Sequence, residues 1–104
     1  MTRFMVSIKL KPGGEKALNF PQIWDNLSKI DTPGKLAFHA GFDTRQHYAD
    51  NWSFGVVIDF VDFDAFLTWF DHPDHRRFGG PAEPYIEATS RVVYDIPDRS
   101  IAAL

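Results

Sequence analysis

Apolar and polar residues alternate from Arg3 to Lys11. Phe4, Val6, Ile8 and Leu10 share one face, while Arg3, Met5, Ser7, Lys9 and Lys11 share the other. A period of two marks a half-buried β-strand, and Pro12-Gly13-Gly14 stops it. From Glu15 to Ile30 the period lengthens to that of a helix. Pro21 interrupts the pattern, so a loose turn and then a helix from about Pro21 are expected, since proline suits a first helical turn. Ile23, Trp24, Leu27 and Ile30 make its apolar stripe, and Asp31-Thr32-Pro33-Gly34 ends it. Lys35 to Asp43 alternates again, with Leu36, Phe38, Ala40 and Phe42 on one face and Ala37, His39 and Gly41 on the other. Thr44 to Asn51 is polar and reads as a loop. Trp52 to Phe60 reads as a third strand with Trp52, Phe54, Val56, Ile58 and Phe60 on one side.

The second half repeats the change of period. Asp62 or Asp64 can cap a helix, because a short carboxylate accepts from the free N–H groups of a first turn. Phe63, Phe66, Leu67 and Phe70 come next at i, i+3, i+4 and i+7 and read as its core stripe. Pro73 disfavours helix through His72 and opens a further turn over Asp74 to Phe78. Gly79-Gly80-Pro81 ends that turn. One more helical turn is expected over Pro84 to Ala88, then a last strand from Thr89 to Ile96 and a tail from Pro97 to Leu104. The order β-α-β-β-α-β is that of a ferredoxin-like α+β domain with a four-stranded antiparallel sheet. Both helices must cover one sheet face. The other face is expected to carry Met5, Val57 and Val93, and a second copy of the chain is the economical cover. We therefore expect a homodimer whose two sheets form a barrel.

Composition narrows the partners. A length of 104 residues fits a single domain spanning 1–104, and 44% hydrophobic residues, among them ten Phe and three Trp, can build a core. A net charge of −3 with no basic stripe argues against nucleic acid. Without cysteine there is neither disulfide nor thiolate chemistry. No apolar run is long enough to cross a bilayer, and charge enters the N-terminal stretch by Lys9, so a cytoplasmic protein without membrane partner is expected.

A family resemblance lies in the segment from Trp52 to Ile96. A strand ending Val57-Ile58-Asp59-Phe60 leads into an acid-capped aromatic helix. His72-Pro73-Asp74-His75 comes after it, then a proline-containing turn and a strand ending Val92-Val93-Tyr94-Asp95. This order resembles the stress-responsive dimeric α/β-barrel (Dabb) family, in which an HPxH motif lies just after the second helix. The opening strand and Pro12-Gly13 resemble that family too. The resemblance implies a dimeric α+β barrel and, in one member type, the plant polyketide cyclases that form olivetolic acid, ring closure by aldol chemistry without a cofactor. The second HPxH histidine is the base there and corresponds to His75. Three other polar positions of that cyclase correspond to Phe4, Phe54 and Trp69 here, which leaves one imidazole in an aromatic setting.

His75 is accordingly the candidate catalytic base, since an imidazole near its reference pKa takes a proton at neutral pH. The bland alternative is a histidine hydrogen-bonded to a backbone carbonyl of its own turn. Trp69, Tyr85 and Tyr94 are candidate donors to an enolate oxygen. Phe4, Phe54, Phe66 and Trp69 are candidate walls for a small apolar carbonyl or aromatic ligand, unless they simply fill a core. His72 fits a helix cap as well as a ligand contact. His39 and His47 read as sheet-face and loop residues. Asp71, His72, Asp74 and His75 hold ligand chemistry for a metal, but adjacent residues and Pro73 spoil the geometry, so no metal is expected; the resemblance implies no cofactor. The first functional expectation is a cofactor-independent cyclase or isomerase. A non-catalytic, stress-responsive ligand-binding dimer and a cofactor-free monooxygenase are the alternatives.

Overall fold

A computed structural model describes residues 1–48 and 52–97; the end of the expected loop, 49–51, and the expected tail, 98–104, lie outside the described residues. The elements are β1 (Thr2–Leu10), α1 (Gly14–Ala17), α2 (Phe20–Ser28), β2 (Lys35–Phe42), β3 (Phe54–Phe60), α3 (Phe63–Phe70), α4 (Pro73–Gly79), a 3-10 turn (Gly80–Tyr85) and β4 (Ile86–Asp95). The strands form one antiparallel sheet in the order β2-β3-β1-β4, so the fold is ferredoxin-like.

Register sorts every strand residue to one face. Phe4, Ile58 and Phe38 make one inward row, Val6, Val56 and Ala40 the next, and Ile8, Phe54 and Phe42 the third. On β4 the inward residues are Val93, Arg91 and Thr89, beside Phe4, Val6 and Ile8. Val93 therefore packs with the core, not on the open face where the pattern of Met5 and Val57 suggested it. Val92 and Tyr94 take that place, because β4 pairs Val92 with Met5 and Tyr94 with Arg3. All three of Met5, Val92 and Tyr94 are exposed. Across the same face Arg3 grips Asp59 through two hydrogen bonds of 2.7 and 3.0 Å.

The helices differ from the pattern in three respects. In α2, Asn19 caps the first turn by accepting from the Gln22 N–H, and Phe20, ahead of the expected start, is its most buried residue. In α3, Asp62 caps by accepting from the Ala65 N–H at 2.9 Å. The buried face of α3 is Ala65, Phe66 and Trp69, while Phe63 and Leu67 stand half out of the protein. The bulk of Trp69 decides that rotation, since packing an indole under the helix removes more apolar area than a leucine would. The third difference comes at Pro81: the helical turn lies earlier than expected, over Gly80–Tyr85, and β4 already starts at Ile86. In β2, a bulge between Lys35 and Ala37 throws Leu36 outward, 56% exposed. Lys35 turns inward, where its ammonium donates to the Ser28 and Ile30 carbonyls at the end of α2.

Gly34 holds the α2–β2 turn at φ +85, a left-handed conformation that L side chains rarely adopt. A Cβ there would lie 2.7 Å from both the Ala65 Cβ and the Val61 Cγ2. Gly34→Ala should therefore cost about 1–3 kcal/mol through overpacking and strain, measured as a lower urea midpoint with an unchanged slope. An unaltered midpoint would contradict this packing.

Candidate functional site

Pro73 builds the site. A residue before proline is held extended, and His72 has φ −62 and ψ 135, so α3 stops and α4 restarts in a new direction. The His72 Nδ1 accepts the Asp74 N–H at 3.1 Å, capping α4. An accepting Nδ1 leaves the neutral imidazole's proton on Nε2. One turn into α4, His75 lies against Trp69 and Phe70, its ring centroid 4.8 Å from each.

Above the sheet the core divides into two clusters. One holds Phe4, Ile30, Ile58, Phe60, Ala65, Phe66 and Trp69; the other holds Leu10, Phe20, Phe54 and Ala82. A cleft of about 970 Å³ takes its walls from both. Phe4, Phe54 and Trp69 line it, as do His72 and His75 at the α3–α4 joint. The volume suits a drug-sized ligand, and apolar walls with few polar groups are what such sites use.

Among the described residues neither ring nitrogen of His75 has a hydrogen-bond partner, while its backbone N–H donates to the His72 carbonyl. Burial lowers the His75 pKa below its ordinary 6.5. The nearby Arg76 charge lowers it further, and Asp71 acts the other way. The imidazole is thus unprotonated at neutral pH, free to accept a proton. The Trp69 indole N–H is buried with no acceptor. Leaving a buried donor unpaired costs about 1–3 kcal/mol, and the same burial keeps this N–H away from solvent.

Not every candidate reaches the cleft. Phe66 is packed among Phe4, Phe60 and Phe70 in the core. Tyr94 is on the opposite sheet face with its hydroxyl 3.5 Å from the Met5 sulfur. Tyr85 ends the 3-10 turn beside β1, where its carbonyl accepts the Lys11 N–H. His39 shares the outward row with Met5 and Val57, and His47 is an exposed loop residue edge-on to Tyr48. No three metal-ligating side chains converge among the described residues. Lining residues that the pattern did not single out include Phe20, Arg76, Thr89 and Arg91. The signal for Arg91 lay in its parity with Val93, which only the pairing with β1 turns into a direction.

No protein-family model and no curated protein matches this sequence. Solved structures do. A dimeric ferredoxin-like protein of unknown function from Thermobifida fusca has a TM-score of 0.75 and 24% identity over 91% of this chain and 90% of its own. A Dabb family protein with a ferredoxin-like fold from Mesorhizobium loti has a TM-score of 0.69 and 26% identity, covering 92% and 95%. A hydroxynitrile lyase from Passiflora edulis has a TM-score of 0.71 and 22% identity, covering 95% of each chain. An antibiotic biosynthesis monooxygenase is also similar, at a TM-score of 0.72 and 15% identity over 93% and 99%. What these share with the chain is the ferredoxin-like fold, which in them hosts different chemistries. Among the described residues no helix is long and apolar enough to cross a membrane.

The electrostatics can be measured without a substrate. In an NMR titration the His75 ring protons should move with a midpoint below 6.5. Arg76→Gln should raise that midpoint and Asp71→Asn should lower it. The unfolded chain takes up this proton near the ordinary value and the folded chain only at lower pH. Stability should therefore fall as pH drops from 6.5 through the folded pKa. A His75 midpoint above 6.5 would refute the buried, Arg76-facing ring.

Proposed function

We propose that the protein is a Dabb-type dimer that catalyses proton transfer on an apolar carbonyl compound, with His75 as the general base. The observation that carries this reading is the unpartnered, neutral His75 ring on the wall of an aromatic cleft. The carbon between two carbonyls is acidic enough for an imidazole to deprotonate, and His75 takes that proton. Negative charge moves to a carbonyl oxygen of the substrate. Phe4 and Phe54 keep the chain of the substrate folded and water away from the carbanion. Attack of the carbanion on a distant carbonyl closes a ring, and His75 passes its proton to the alkoxide so formed; return of the proton to the enolate oxygen instead gives the enol isomer. The Dabb family protein and the hydroxynitrile lyase of similar fold support the class of reading without naming the substrate.

A second reading draws on the monooxygenase of similar fold. The same carbanion can react with O2 without a cofactor, and oxygen consumption during turnover distinguishes that course. For the base itself, the probe is deuterium exchange into 1-phenyl-1,3-butanedione, read by NMR. His75→Ala should slow the exchange by about 10²–10⁴-fold, the usual contribution of a general base, while circular dichroism stays unchanged. Full exchange in the variant would remove His75 from the mechanism. Wild-type protein no faster than free imidazole would favour a ligand-binding dimer.

The dimer belongs to the same proposal. Met5, Val57, Val92 and Tyr94 leave an apolar strip on the face without helices, and the Thermobifida fusca protein of like fold is dimeric. Val57→Glu puts a charge in the middle of that strip and should give a monomer by light scattering; a dimer of unchanged mass would place the interface elsewhere.

A further inference from the structure

The inward face of β4 breaks the rule that the other strands keep. Where β1 and β3 turn Phe, Val and Ile toward the helices, β4 turns Arg91 and Thr89, beside Val6 and Ile8. Both line the cleft. Arg76 reaches the same cleft from α4, on the side of His75. Neither arginine forms an ion pair with any described residue, although Asp71 and Glu83 are on the same rim. The other described arginines are paired: Arg3 with Asp59, Arg45 with Glu15 and Arg77 with Asp74. A guanidinium aimed from a sheet toward an aromatic cleft adds nothing to the core. It does offer a planar fork that matches a carboxylate.

Resting on the reading of the cleft as a ligand site, we infer that its ligand is an amphiphile with an apolar, carbonyl-bearing body and a carboxylate head, and that Arg91 binds the head with Arg76 in support. The body lies along Phe4, Phe54 and Trp69, and the head sits at the β4 edge. There Thr89 adds a hydroxyl donor. This arrangement orients the ligand lengthwise, so that a carbon partway along the body, not the charged end, meets His75. The carboxylate also sets the specificity: a neutral ester of the same body loses its anchor and retains only the apolar contact.

The test uses 2-naphthoate and its methyl ester, which share a body and differ in charge, with quenching of the Trp24 and Trp69 fluorescence as readout. Wild-type protein should bind the acid about tenfold or more tightly than the ester, the scale of a charge-assisted hydrogen bond. Arg91→Gln should bring the two affinities together by weakening the acid alone, and Arg91→Lys should keep part of the preference. Raising the salt concentration should shrink the preference. Equal binding of acid and ester by wild-type protein, or a preference that survives Arg91→Gln, overturns the carboxylate assignment and leaves the cleft reading standing. Failure of both compounds to bind overturns the two together.

Discussion

The helix layer cannot close over this sheet, because Pro73 forbids α3 from continuing through His72. A single uninterrupted helix would carry its apolar stripe onward and seal the inner face. Instead the backbone goes extended for one residue, His72 caps α4, and that helix leaves at a new angle. The two core clusters adjoin at Val56, and the cleft takes its walls from both. The break that makes room also delivers His75 to the wall of the space.

Polar chemistry inside an apolar enclosure is held in a narrow balance there. The His75 ring is flanked by Trp69 and Phe70, which keep it neutral, and by Arg76 and Asp71, whose charges oppose each other at its nitrogens. Arg76 has the larger effect of the two. The result favours a base that is free at neutral pH and a local field that welcomes negative charge. An enolate and a carboxylate head both meet that description, so proton transfer and ligand orientation draw on the same field.

The opposite face of the sheet obeys a different logic. Its centre is apolar at Met5, Val57 and Val92, with the Arg3–Asp59 pair beside them. That pair is bidentate, and Arg3 holds the Asp59 carboxyl below the usual carboxylate range. Geometry this well satisfied tolerates being covered, since both charges keep their hydrogen bonds when water leaves. An apolar strip flanked by a satisfied ion pair is the surface on which the proposed dimer rests.

Local pattern alone determined the element order, the acid cap at Asp62, the break at Pro73 and hence the ferredoxin-like topology, because periods of two and 3.6 residues and proline's missing N–H act within a few neighbours. The family resemblance carried by His72-Pro73-Asp74-His75 brought forward His75, and residue type brought forward Phe4, Phe54 and Trp69. What local pattern could not decide is anything set by partners far along the chain. The alternation of β4 leaves open which of Val92 and Val93 faces the helices until pairing with β1 chooses. The rotation of α3 depends on whether Trp69 or Leu67 finds room below it. Tyr85 and Tyr94, plausible beside the base by residue type, are carried elsewhere by turn geometry and strand parity. Arg91 stood unnoticed for the same reason: only the tertiary register turns a charged residue on an edge strand toward the cleft.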